Sequence, residues 1–391
     1  MNLLGVLTRI SGITLFGRIV SLIRDTLMAS VFGAGIASDA FLVAFRVPNF
    51  LRRVFVEGAF NHAFVPVLTE YSHLRNLNET RQLLSRVSTG LGMILVVITG
   101  LGILTTPWIL NVLAPGFDGE KAQLTETLLR IVLPYIVFIS LVSLAGSVLN
   151  VFNRYYVPAF TPVWLNVSLI ISMLWFTDYF ALPISALAWA VCLGGALQLA
   201  FQLPFLYKIG MLPRWDFNWR DSDVRRILGL MLPSMLGVSA AQVSLLLNAL
   251  FASFMVSGSV TWLYYADRMM ELPSCVLGAA LGTVLLPNLS KTYVLGDQVA
   301  YCELLDWGLR LSILLAMPAV VGFFVLAVPL VVTLFGYGRF DGHDLAMTEA
   351  ALIAYSMGLL GFITIKILVS AFYSRKNIKT PVRIACFVLC F

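Results

Sequence analysis

The chain has 391 residues, of which 59% are hydrophobic and only 12% charged, with a mean hydropathy of +0.90. Soluble domains carry about 25% charged residues, so the composition excludes a soluble globular class and places the protein in a membrane. The formal charge of +6 is accounted for by membrane topology, as shown below, and gives no reason to invoke nucleic acid.

Crossing a bilayer takes about 20 consecutive apolar residues. Ten stretches qualify: 4–32, 37–62, 86–113, 124–151, 157–180, 183–209, 229–256, 260–289, 308–336 and 347–372. The first is too long for a signal peptide and lacks a small-residue cleavage site. It contains FGRIVSLIRD (16–25), which sets Arg18, Arg24 and Asp25 at bilayer depth. The second carries Asp39, Arg46, Arg52, Arg53 and Glu57, and is interrupted by Pro48. Gly12, Gly17, Gly33 and Gly35 flank the charges of the first span; they suit either a bending helix or close helix packing. The eighth span holds Asp267, Arg268 and Glu271, and the tenth holds Lys366.

The loops sort by charge. One set carries fifteen basic residues, among them Arg75, Arg154, Arg214 and Arg375. The opposite set carries only Lys121 and Arg339, accompanied by Asp118, Glu120, Asp341 and Asp344. Basic loops stay cytoplasmic, so the N-terminus is expected in the cytoplasm.

The chain repeats itself. FDGEKAQLTE (117–126) returns as FDGHDLAMTE (340–349), an offset of 223. Pro107 pairs with Pro329, TPV at 161–163 with TPV at 380–382, and VPVL at 65–68 with LPNL at 286–289. The order is kept at offsets of 219 to 223, which marks an internal duplication. Six spans per copy is an even number, so both copies enter the membrane in the same direction, a parallel repeat. The expected domains are an N-terminal lobe over 1–207, a linker over 208–228, and a C-terminal lobe over 229–391. Trp215, Phe217 and Trp219 among the charges of 208–228 suggest a linker helix lying on the cytoplasmic surface. An eleventh apolar segment begins near Thr380 and stops at Phe391, half a span that cannot satisfy its backbone in lipid alone. The sequence therefore predicts a C-terminally incomplete second lobe, ending in its fifth helix.

Each cation at bilayer depth costs about 2.5–3.5 kcal/mol. One reading locks every arginine in an ion pair that fixes packing: Arg53 with Glu57, Arg268 with Glu271, and Arg18 with Asp25 two turns away. Asp39 and Asp267 are further acidic candidates. In the other reading the cations outnumber these carboxylates, and the surplus lines a wet cavity that attracts an anion. Arg24 and Arg52 sit about 120° off the acidic faces, by the helical period, and look least paired. Arginine suits phosphate because its planar fork binds two oxygens at once. Cys192, Cys275, Cys302, Cys386 and Cys390 show no ligand spacing, and His62, His73 and His343 are scattered. No metal site, cofactor or catalytic group is expected, and nothing suggests an enzyme.

FGRIVSLIRD, the segment FGAGIASDAFLVAFRVPNFLRRVFVEGAFNHAFVPVL (32–68) and SGSVTWLYYADRMMELPSCVLGAALGTVLLPNLSK (257–291) resemble the MurJ (MviN) family of the MOP exporter superfamily. The resemblance covers the whole chain. It implies an all-α polytopic fold of two six-helix lobes in a V, as in MATE transporters, followed by two further helices. It also implies a flippase for lipid II, the undecaprenyl-diphosphate-linked peptidoglycan precursor, in the bacterial inner membrane. The bilayer is a second partner, with the cell-wall synthesis machinery left open. The family's cavity arginines correspond to Arg18, Arg24, Arg52 and Arg268, with Arg53, Asp25, Asp39, Glu57 and Asp267 in the same motifs, and its second-lobe lysine to Lys366. Gly17 and Ser21 stand where relatives often carry Ser and Gly. Na⁺, H⁺ and the membrane potential stay open as the driving force. A drug exporter of the same superfamily would want an acidic, aromatic site. A flippase for another polyprenyl-diphosphate oligosaccharide has the same charge requirement, and a cell-wall scaffold would leave the arginines without a task.

Overall fold

The computed structural model of the chain describes residues 3–54, 63–216, 224–227, 229–231, 246–375, 377 and 379–390. Among these residues the ordered structure is helical and contains no strand. Contacts divide the chain into two compact units, Met1–Ser257 and Gly258–Phe391.

In the first unit the helices are α1 (Leu3–Phe32), α2 (Ile36–Arg53), α3 (Val65–Leu74), α4 (Leu77–Leu104), α5 (Thr106–Leu113), α6 (Gly119–Val132), α7 (Tyr135–Val151), α8 (Tyr156–Phe160), α9 (Pro162–Trp175) and α10 (Ser185–Lys208). The second unit holds α11 (Ser259–Val294), α12 (Gln298–Val325), α13 (Ala327–Phe335), α14 (Gly342–Ser374) and α15 (Lys379–Cys390). By length and composition, Leu77–Leu104, Gly119–Val151, Tyr156–Trp175, Ser185–Lys208, Gln298–Val325 and Gly342–Ser374 can cross a membrane. The charged first and eighth spans form unbroken helices of 30 and 36 residues, about 45 and 54 Å at 1.5 Å per residue. Of the seventh expected span, only 229–231 and 246–256 lie within the described residues, and the helix there stops at 253.

The duplication is visible in the elements. A 28-residue helix, α4, leads into the short α5 and then into the 33-residue span Gly119–Val151. Some 221 to 223 residues later, the 28-residue α12 leads into the short α13 and the 33-residue α14. One difference between the copies is set by a proline. Pro134 has no N–H to donate and separates α6 from α7; Ile136 and Val137 bond instead to Leu133 and Pro134, three residues back. Moving 223 residues along from Pro134 reaches Met357, and α14 runs through it unbroken.

Packing sorts the faces of α1. Leu15, Ile19 and Ile23 recur every four residues and are exposed, a stripe suited to lipid, while Val20, Arg24 and Met28 are buried. In α10, Gly194 and Gly195 let α9 and α7 approach: a Cβ on Gly195 would stand 2.6 Å from the ring of Tyr135. Gly116 plays the same part for the segment 246–253. Its N–H donates to Ser253 Oγ at 3.1 Å, and a Cβ there would meet the Ser253 carbonyl oxygen at 2.5 Å.

The expected linker 208–228 is not helical over 211–216, whereas 224–227 is helical. Residues 211–216 run without helical hydrogen bonds beside α4. Arg81 Nε donates to the Leu212 carbonyl at 3.0 Å, and Arg214 N–H donates to Ser85 Oγ at 2.9 Å. Arg86 pairs with Asp216 at 3.0 Å. Gly210, at φ +72, ends the preceding turn, and Pro213 withholds a backbone donor. Trp215 is exposed; Phe217 and Trp219 lie outside the described residues.

Candidate functional site

Arg24 is the best-held of the charged groups on α1, contrary to its expected lack of a partner. Its Nε donates to Asp25 Oδ1 at 3.0 Å, its Nη2 pairs with the same oxygen, and its Nη1 donates to Asn166 Oδ1 at 2.9 Å. Adjacent helical residues point about 100° apart, which is why the sequence reading separates them. The long guanidinium stem reaches round to its neighbour. Arg24 and Asp25 are both buried, and Asn166 of α9 completes the site from across the unit. Asn166 was legible as a lone amide in an otherwise apolar span, yet the sequence reading passed it over.

Asp25 therefore serves Arg24, and Arg18 has neither a hydrogen-bond nor an ion-pair partner among the described residues. Arg52, in the last turn of α2, is in the same condition. Both are half-buried. Arg53, beside Arg52, is half-buried too, and its expected partner Glu57 lies outside the described residues.

Asp39, fully buried in the first turn of α2, has a partner the sequence placed elsewhere. Lys121 Nζ lies 2.7 Å from Asp39 Oδ2 and 4.1 Å from the centroid of the Phe117 ring. Lys121, counted above as a loop charge, is buried in the first turns of α6. Desolvation explains the arrangement: a buried ammonium must be paired, and the aromatic face adds a second favourable contact.

In the second unit Arg268 pairs with Glu271 three residues on, as the spacing allows. Asp267 and Lys366 are exposed. Trp262 Nε1 donates to Asp344 Oδ1 at 3.0 Å, and both are buried. No cluster of His, Cys, Asp or Glu that could hold a metal occurs among the described residues.

The helices, six of them long and apolar enough to cross a membrane, with charged groups buried among them, define an all-α multi-pass membrane protein. An inward-facing multidrug resistance MATE family transporter of the MOP superfamily superposes with a TM-score of 0.77 over 95% of this chain and 84% of its own, at 14% identity, a likeness of fold alone. The family described as "Lipid II flippase MurJ" matches residues 28–391. The chain belongs to that family. A lipid II flippase MurJ of Burkholderia cenocepacia is 47% identical over 395 residues, covering all of this chain and 77% of the relative. A probable lipid II flippase MurJ of Vibrio cholerae is 42% identical over 383 residues, covering 96% and 73%. A solved lipid II flippase MurJ in an inward closed conformation superposes with a TM-score of 0.84 at 29% identity, covering 96% of this chain and 78% of that one. Members of this family are transporters, and the chain is not an enzyme.

Proposed function

We propose that the chain translocates lipid II from the inner to the outer leaflet of the bacterial cytoplasmic membrane by alternating access, its N-terminus in the cytoplasm. Family membership supports the substrate. The observation that carries the mechanism is that Arg18 on α1 and Arg52 on α2 stand half-buried with no hydrogen-bond or ion-pair partner among the described residues. At about 2.5–3.5 kcal/mol per intramembrane cation, two such groups are retained where an anion repays them. Arg18, Arg52 and the adjacent Arg53 are assigned to the diphosphate. Arg24 is assigned to holding α1 against α9, so that the cations on α1 stay in place. Arg268 and Lys366 are the second lobe's contribution, and Asp25, Asp39, Glu57 and Asp267 the acidic supports. The proposed lobes are 1–207 and 229–391, joined by 208–228.

The test is binding of labelled lipid II to purified protein in liposomes, with Arg18→Ala, Arg52→Ala and the double variant. Each single change is expected to weaken binding about tenfold or more, in the range of a charge-assisted contact, with insertion unchanged and lysine restoring part of it. A double variant that binds and translocates like the parent would sink the proposal. Competition by undecaprenyl diphosphate but not by cationic dyes separates this reading from drug export.

A further inference from the structure

A groove of about 530 Å³ opens on the first unit between α1 and α8, lined by Arg9, Gly12, Ile13, Phe16, Tyr156 and Phe160. It runs from Arg9 to Phe16, seven residues or about 10 Å along the helix. At the end away from Arg9 lies the stacked pair Phe16–Phe160, with ring centroids 6.3 Å apart and planes 7° from parallel. Its only charged lining group is Arg9, which is exposed and has no partner among the described residues. Tyr156 at the same rim adds a hydroxyl. Arg154, exposed, stands two residues before it in the basic loop.

We propose that this groove binds an anionic glycerophospholipid of the cytoplasmic leaflet, its phosphate on Arg9 and the upper part of one acyl chain along Gly12 and Ile13. The assignment of leaflet rests on the proposed orientation; the groove itself does not depend on the lipid II reading. Three features select this occupant. The walls are apolar below a single cation, which matches a phosphate above a hydrocarbon chain. The groove reaches the stacked rings after about two helical turns, a length that takes part of an acyl chain and falls short of a long polyprenyl tail. Arg9 sits at the end of the unit where the basic loops gather, the leaflet rich in anionic lipid.

Native mass spectrometry of the purified protein, equilibrated with equal phosphatidylglycerol and phosphatidylcholine, reads the site. The parent should retain phosphatidylglycerol in preference. Arg9→Gln should lower that retention about fivefold, the effect of one basic residue at an anionic surface, while Arg9→Lys keeps it. Gly12→Trp should expel the bound lipid by filling the groove; a Cβ on Gly12 meets nothing within 4 Å, so the side chain leaves the backbone without a clash, and an unchanged melting temperature checks that the fold is kept. Equal retention by the parent and Arg9→Gln would overturn the proposal. So would undecaprenyl phosphate displacing phosphatidylglycerol from the parent, since the groove would then belong to a carrier lipid. Loss of lipid II binding at Arg18→Ala with unchanged phospholipid retention would show the two sites to be independent.

Discussion

Lys121 and Asp39 are joined by a buried ion pair, Nζ to Oδ2 at 2.7 Å, that ties α6 to α2. Carried 223 residues along the chain, Asp39 and Lys121 land on Trp262 and Asp344, which are themselves joined at 3.0 Å and tie α11 to α14. Both pairs are 82 residues apart in sequence. The duplication has kept the tie and exchanged its chemistry. One copy uses ammonium and carboxylate; the other uses an indole donor and a carboxylate contributed from the opposite helix. What the repeat preserves at this position is a polar bond between corresponding helices, because two buried polar groups each need a partner whatever their charge.

Breaking the first tie should be costly. Lys121→Met leaves the Asp39 carboxylate buried without its ammonium, and removing one partner of a buried pair costs about 3–5 kcal/mol. Lys121→Met and Asp39→Asn should each lower the melting temperature of the solubilised protein strongly. Lys121→Met with Asp39→Leu should recover most of the loss, because no charge is then stranded. A double variant as unstable as the singles would show that the pair does more than satisfy itself.

The equivalent change in the second unit should cost less. Trp262→Phe keeps the ring but removes the donor to Asp344, and an unmade buried hydrogen bond costs about 1–3 kcal/mol. Thermal melts of Trp262→Phe and Lys121→Met, run side by side, should rank in that order.

The two kinds of arginine should separate in a paired measurement of stability and binding. Arg24→Ala takes the guanidinium from the buried Asp25 carboxylate and removes the bond to Asn166, so it should lose about 3–5 kcal/mol of stability. Arg18→Ala and Arg52→Ala remove half-buried cations that have no hydrogen-bond or ion-pair partner among the described residues. They should leave the melt unchanged or slightly raised while lipid II binding falls. Equal melting losses for Arg18→Ala and Arg24→Ala would mean that Arg18 is also structural.

These contrasts mark how far the sequence reads. Spans are set by the length of apolar runs, so the expected spans 4–32, 260–289 and 347–372 fall on single helices, whereas 86–113 and 308–336 each divide into a long helix that starts some ten residues earlier and a short one; the offset of 223 anticipates the matching order of α4–α7 and α12–α14. The chemistry of the charges was harder to read. Whether Arg24 is paired depends on the reach of a flexible side chain and on Asn166, 142 residues away, which no local spacing reveals. Lys121 looked like a loop charge because it lies among Asp118 and Glu120 at a span's edge; only the turn of α6 toward α2 buries it. The break at Pro134 was legible from the missing donor, whereas the segment 211–216 lies along α4 through side-chain bonds that composition does not encode.

Gly195 gives the sharpest test of packing in the first unit. A Cβ at this position would stand 2.6 Å from Cδ2 of Tyr135 and 2.9 Å from Cβ of Phe138. Neither neighbour can yield cheaply. Tyr135 is buried at the first residue of α7, just after the Pro134 break, and the Phe138 Cβ is fixed to its backbone. Gly194 beside it faces Leu165 at 2.8 Å, so α10 cannot slide away from α7 without moving against α9. An alanine normally favours a helix over glycine by about 1 kcal/mol; here overpacking, at about 1–3 kcal/mol, should reverse the sign. Gly195→Ala is expected to lower the melting temperature, and Gly195→Leu to prevent accumulation of folded protein. Gly92→Ala, where a Cβ meets nothing within 4 Å, should stabilise slightly. If Gly195→Ala and Gly92→Ala shift the melt in the same direction, the close approach of α10 to α7 is not a constraint on this unit.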